Sequence, residues 1–503
     1  MSTSRVEEVL QEADQLVLGG QVDEATRLLE TARDSDPSNQ VLLQRLGDAY
    51  RSLQRPTEAL QVYDEAIRFA PGQADLWARK GDALLGDGRT EEAIAAFEEA
   101  ARLNPDEFSY VDWNIRGDRL FTDGDYATAG RLYRKSVEAT ANVEAWRNLG
   151  FVAQRLGDPA QALECYEAAL LLDPENSLLL NDRGVVLLDL ERTDEARECF
   201  ERVVALNGDS LEGWLNLGLV RREKGEFEGG AEAYQRAAQL DPARSDTWLD
   251  LGVCELEIGS REAALPKALQ SFERALEANE DSFWARNNAG FVLGELGRER
   301  EGLAHLVRAI ELDPSESTPW SNKVWILLKL GEVEEAAVAA DEMMEATGDR
   351  VSALNFKAQI LTDWKGQDKD ALALLEEASH LNPDDLSVAV NLAELLLKVG
   401  EYPKSRSAAQ AALEMELADD SRCAMLFITY ASFVLEGGAS SDRQQAFDDF
   451  IGYYRANFVG TDARALLWNY RGLIRGIRND ATKCDEESAF LLTTAMDMQV
   501  GTL

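Results

Sequence analysis

The sequence predicts an all-α solenoid: about twelve helix–turn–helix repeats over residues 1–419, then a divergent helical region, 420–503, that caps the array. Three observations carry this expectation. A unit of 34 residues recurs along the chain, with VEAWRNLGFVAQRLGDPAQALECYEAALLLDPEN (143–176) as its clearest copy. Within that unit, Trp146, Leu149, Gly150 and Ala153 are spaced to share one face of a first helix, and Ala162, Tyr166 and Ala169 mark the inward face of a second. Alternating strand patterns are absent, so nothing competes with the helical reading. Gly157 and Asp158 break the unit between its helices, and Pro174 closes it where a helix cannot continue. Gly150 and Ala162 are small enough to let the two helices approach closely.

Taken in order, the units fall near 6–39, 40–73, 74–107, 110–141, 143–176, 177–210, 211–244, 245–282, 283–316, 317–350, 351–385 and 386–419. The first carries Ala13, Gly20, Ala25, Ala32 and Pro37; the second Leu46, Gly47, Ala59, Tyr63, Ala66 and Pro71. The third has Trp77, Gly81, Ala93, Phe97 and Pro105, and a two-residue slip then precedes Trp113, Gly117, Ala129 and Tyr133. Gly150, Gly184, Gly218 and Gly252 are each 34 apart and fix units five to eight. The eighth is four residues longer and contains Pro266, either a tolerated insertion at a helix start or a local bend; one added helical turn keeps Ala268 and Phe272 in phase. Units nine to eleven follow on Gly290 and Ala309, Trp320 and Ala336, and Ala358 and Ala371. The twelfth is degenerate, with Ser405 where Ala is usual. Beyond about Asp420 the template fades into a longer helix pair and two further helices, as expected of a terminal segment covering an exposed apolar end.

These residues resemble the tetratricopeptide repeat: W at position 4, LG at 7–8, A at 20, an aromatic at 24, A at 27 and P at 32. The resemblance covers roughly four-fifths of the chain. It implies a right-handed superhelix of stacked helix pairs, and a scaffold that binds a protein or peptide. A chain of 503 residues suggests several domains, but a solenoid buries each unit on its neighbours, so one array reaches this length.

Composition narrows the function classes. The 92 acidic residues against 51 basic ones give a net charge of −41, which excludes a phosphate-neutralising nucleic-acid binder. The acidity reads as a solubilising surface, or as adaptation to a saltier interior. Cys165, Cys199, Cys254, Cys423 and Cys484 form no CxxC pair, and an odd number suits reduced thiols. Cys165 and Cys199 share position 23, which suits helix packing. No signal-peptide pattern and no membrane-length apolar run are present, so the expected compartment is cytoplasmic. His305 and His380 stand in different repeats, and no HExxH, GxSxG, P-loop or metal-spaced Cys/His cluster occurs. The expectation is therefore no enzyme, no metal and no cofactor.

In the family that the units resemble, positions 2, 5, 6, 9, 12 and 13 of the first helices face the concave groove. Position 9 is Asp14, Asp48, Asp82 and Asp118 in units one to four, then Phe151, Val185, Leu219, Val253, Phe291 and Trp325, then Gln359 and Glu394. Val185, Leu219 and Val253 suit either helix packing or a ligand surface; Phe151, Phe291 and Trp325 are larger than packing needs. Position 6 carries Asn148, Asn216, Asn288, Asn322 and Asn391, broken by Asp182 and Asp250. In some family members such amides bind an extended peptide backbone, since an amide donates and accepts at once. The chaperone-tail carboxylate clamp is not matched, because position 9 is never Asn. Arg471, Arg475 and Arg478 would give one cationic face to a helix over 463–479, either a solvated cap or a surface for docking on an acidic partner or a second copy. The leading expectation is a groove that holds a partner's peptide or helix. The alternative is self-assembly through array ends or the arginine helix, giving a homo-oligomer.

Overall fold

The computed structural model describes residues 3–105, 110–415, 419–436 and 440–457. Its described residues form 26 α-helices and no strand. The chain divides into two compact units, Met1–Leu240 and Asp241–Leu503. The first holds seven antiparallel helix pairs, from Thr3–Leu18 with Val22–Ser35 to Leu211–Glu223 with Phe227–Leu240. The second opens on Ser245–Leu256 with Arg261–Ala278 and runs through Tyr402–Leu413. Beyond it, Asp419–Glu436 and Ser440–Asn457 make a pair of 18-residue helices, a length that only Arg261–Ala278 matches among the repeat helices described.

Repeats two to nine are each built around one close approach. The glycine at position 8 of the first helix faces the aromatic at position 24 of the second. A Cβ on Gly47, Gly117 or Gly184 would lie 2.5 Å from the ring of Tyr63, Tyr133 or Phe200, and Gly150 stands against Tyr166 in the same way. Those rings are fully buried or nearly so, as is Ala162. Where the ring is missing, in the ninth repeat, Leu306 is buried against Gly290 instead. The turn between the helices is left-handed at Gly157 (φ 77°), and Gln54 and Glu191 hold the same conformation at its counterparts without glycine.

Successive repeats are locked by a second contact. Trp77, Trp248 and Trp320, each at position 4, donate their indole N–H to the carbonyls of Pro71, Pro242 and Pro314 at 3.1, 3.0 and 3.1 Å. Trp214 reaches Gly208 at 2.9 Å. The closing proline thus stops the helix and leaves a carbonyl that the next repeat's tryptophan satisfies.

The eighth repeat departs from the helix-start expectation. Its second helix, Arg261–Ala278, has 18 residues where its neighbours have 14, and Pro266 lies inside it. Proline removes one backbone donor there, while Ala268 and Phe272 remain fully buried, so the added turn preserves the inward face. In the twelfth repeat, Ser405 is buried in place of alanine and its hydroxyl donates to the Ala393 carbonyl at 2.8 Å. That bond accounts for a polar group at the closest point of the helix pair. The same repeat supplies Ala393, Leu397, Ala409 and Ala412 to a core shared with Phe427, Ile428, Tyr430 and Phe450 of the long pair. Cys165, Cys199, Cys254 and Cys423 are buried thiols that form no disulfide among the described residues, while Cys484 lies outside the described residues.

The glycine contact is testable by a single methyl group. Gly184→Ala drives a Cβ into Phe200 and should cost about 1–3 kcal/mol in urea unfolding. Gly72→Ala, with nothing within 4 Å of the new atom, should stay within about 0.5 kcal/mol. Equal midpoints for the two variants would show that the repeat does not depend on this approach.

Candidate functional site on the first-helix face

The first helices carry two kinds of surface. In repeats one to four, the aspartates at position 9 are braces between repeats. Arg79 Nη1 lies 2.6 Å from Asp48 Oδ2, and Arg116 Nε lies 3.1 Å from Asp82 Oδ1. Arg45 reaches Asp14 at 3.4 Å, and the Asn148 amide donates to Asp118 at 3.1 Å. From within their own repeats, the hydroxyls of Tyr63 and Tyr133 donate to Asp48 and Asp118 at 2.6 and 2.7 Å. Burial first, and the neighbouring aspartate next, push both phenols well above 10. The carboxylate stripe is thereby tied to the array's own cations and hydroxyls.

At repeat five the acid gives way to Phe151. Its ring packs edge-on against Tyr166 at 6.0 Å, and the Arg147 guanidinium sits 4.9 Å from its centroid. Tyr166, having no aspartate there, donates to Gln154 at 2.6 Å. Arg147 also binds Asp182 at 2.6 Å, and burial pushes that carboxyl up against the opposing pull of the arginine. Phe121, Phe151, Gln154, Arg155 and Asp189 line an open pocket of 540 Å³. Leu219 is half-buried in the same unit.

The position-6 asparagines are partly engaged within the array. Asn216 donates to Asn181 at 2.9 Å, Asn322 to Asn287 at 2.9 Å, and Asn391 to Asn355 at 2.8 Å. In each case the acceptor is at position 5 of the preceding repeat. Asn288 instead accepts from Asn287 at 3.0 Å. All five position-6 amides are half-buried, and one N–H bond leaves a further N–H on each donating amide.

In the second unit, Phe291 and Trp325 form an aromatic pair, with centroids 5.7 Å apart and planes at 36°. Trp325 lies over Gly294, where a Cβ would come within 2.7 Å of its ring. Lys329 Nζ stands 4.9 Å from the same ring and donates to the Gly294 carbonyl at 2.6 Å. Beside the pair, a 390 Å³ open pocket is lined by Trp325, Leu328, Lys329, Phe356, Gln359, Asp363 and Trp364.

Sequence profiles of one description, tetratricopeptide repeat, match residues 10–74, 45–108, 78–144, 140–207, 181–245, 215–283 and 366–421. The chain belongs to the tetratricopeptide repeat family. A human relative, anaphase-promoting complex subunit 7, is 26% identical over 184 residues, which cover 37% of this chain and 31% of that protein. The chain thus spans about a third of that relative's length. Among solved structures, MamA is 28% identical over 33% of this chain and 94% of its own, with a TM-score of 0.31. YrrB, described as a tetratricopeptide repeat protein with an unusual peptide-binding site, is 19% identical over 39% and 98%, with a TM-score of 0.35.

Within this tetratricopeptide repeat chain the expected site residues fall into two groups. Asn148, Phe151, Asn216 and Leu219 belong to the first unit; Asn288, Phe291, Asn322, Trp325 and Asn391 belong to the second. Arg471, Arg475 and Arg478 lie outside the described residues. Sequence reasoning missed Asn181, Asn287 and Asn355, although an asparagine at position 5 always precedes a position-6 asparagine in those pairs. It also missed Phe356, Asp363 and Trp364, which only folding brings to Trp325. Among the described residues, no group of three His, Cys, Asp or Glu side chains could hold a metal ion, and no helix is long and apolar enough to cross a membrane.

The tyrosine–aspartate braces carry a pH signature. Tyr63→Phe with Tyr133→Phe should lower stability by about 1 kcal/mol per lost bond at neutral pH. Because both folded values exceed the unfolded value of 10.0, this stability is fully present below pH 10 and declines as pH rises through the folded values. The gap between parent and variant in urea titrations should therefore narrow above pH 10. A gap independent of pH would show that these hydroxyls are not held protonated.

Proposed function

We propose that the chain is a non-enzymatic protein-interaction scaffold that binds a peptide or helical segment of a partner along its first-helix face. The observation that carries this reading is the Phe291–Trp325 pair, half-exposed beside an open pocket and flanked by Asn288 and Asn322. Aromatic side chains that stay partly uncovered supply large contact area at low conformational cost, the usual character of binding anchors. Amides with remaining hydrogen-bonding capacity suit a peptide backbone. Phe151, with Asn148, offers a second surface of the same kind in the first unit. The peptide-binding description of YrrB and the complex-subunit name of the human relative agree with such a role. Self-assembly through an arginine helix finds less support, because the position-9 aspartates that could receive it are already engaged.

Affinity capture from native lysate tests the proposal. The Phe291→Ala/Trp325→Ala variant should lose a protein that the parent retains, by tenfold or more (about 1.4 kcal/mol), with its helical circular dichroism unchanged. Phe151→Ala reports separately on the first unit. Equal recovery by all three proteins would remove the first-helix face as the binding surface.

A further inference from the structure

We infer that the pocket beside Trp325 receives a cationic side chain, arginine above all, so that the partner segment is basic at the residue docking there. This rests on the first-helix reading above and adds the chemistry of the ligand. Three aromatic residues, Trp325, Phe356 and Trp364, line the pocket, with Trp364 51% exposed although a tryptophan is costly to leave in water. Aromatic faces attract cations through the ring quadrupole, and a guanidinium also stacks on them.

The charges of the pocket decide its sign. It holds one cation, Lys329, and one carboxylate, Asp363. Lys329 stands over Trp325 alone and is tied toward the end of the preceding repeat's first helix, its Nζ donating to the Gly294 carbonyl and lying 3.7 Å from Glu299, which leaves the Phe356 and Trp364 rings to an incoming cation. Asp363, the last residue of helix Arg350–Asp363, is exposed and forms no ion pair among the described residues. It has the Gln359 amide as a hydrogen-bond partner, and Lys398, the nearby cation, is held by Asp368 at 2.8 Å. The pocket therefore presents aromatic walls and one carboxylate that makes no ion pair among the described residues and can accept a guanidinium. The 540 Å³ pocket at Phe151 makes the contrast. There Arg155 has no ion-pair partner among the described residues and faces the same pocket as Asp189, so its own charges balance. The chain's net charge of −41 further favours encounter with a basic segment.

A positional-scanning peptide array tests the inference, with the central residue fixed as Arg, Lys, citrulline, Leu or Glu and the full chain as the soluble binder. Citrulline keeps the shape of arginine without its charge. The parent should retain Arg peptides roughly five- to tenfold better than citrulline peptides, the scale of a cation–aromatic contact joined to one exposed charge pair. Asp363→Asn, at an exposed helix end, should reduce that preference to about two- to fivefold, the aromatic share alone, while its thermal melt stays that of the parent. Binding indifferent to the central residue, yet lost in Phe291→Ala/Trp325→Ala, would overturn the cationic assignment and leave the first-helix reading standing. A preference for Glu or Leu would overturn it as well. An Arg preference unchanged by Asp363→Asn would overturn its placement at this pocket, and a parent that retains no peptide would overturn both readings.

Discussion

The close approach of the position-8 glycine to the position-24 side chain is the constraint on which repeats two to nine depend. In those pairs a larger side chain at position 8 would push the helices apart, unlike the tenth repeat, where buried Val324 at position 8 is matched by a small Ala340 at position 24. The buried aromatic would then lose contacts whose combined worth is about 2–3 kcal/mol per ring. Gly47, Gly117 and Gly184 repeat the same geometry against Tyr63, Tyr133 and Phe200. Leu306 against Gly290 shows that it is the close approach, and not aromaticity, that the pair requires.

Polar contacts then set each repeat on the next. An apolar interface tolerates small slips, because burial has no direction; hydrogen bonds do not. The indole–carbonyl bonds of Trp77, Trp248 and Trp320, the Asp48–Arg79 and Asp82–Arg116 pairs, and the Asn216, Asn322 and Asn391 amide bonds all span one repeat junction. The junctions of the first repeats centre on the position-9 aspartates, and later ones add neutral amide bonds to charge pairs such as Arg147–Asp182 and Lys398–Asp368. Where the position-9 acid is replaced by Phe151 or Trp325, the brace is gone and an aromatic surface stands in its place.

The folded repeats were largely legible before folding. The period placed Gly150, Tyr166 and Pro174 in roles that the helix pairs display, and the four-residue insertion near Pro266 kept Phe272 inward as helical phase requires. The position-9 aspartates were legible as a series but not as braces, since their partners are one repeat away; Arg45, Arg79 and Asn148 all occupy position 6 of the following unit, a regularity that shows only once the repeats are stacked. The pocket at Trp325 was only half legible. Its position-9 member was singled out by size, whereas Phe356, Asp363 and Trp364 reach it from the next repeat.

By itself, then, the sequence determined what local periodicity determines: all-helical repeats, the buried face and the small residues where helices meet. Those follow from spacing within one unit, because helical phase and turn conformation are properties of a few neighbouring residues. The tertiary structure alone decided which polar groups are already satisfied and which remain for a ligand. That question depends on side chains a full repeat apart, such as Asp48 with Arg79 or Lys329 with Asp363. Their proximity comes from how one helix pair stacks on the next, and no periodicity within a unit encodes it.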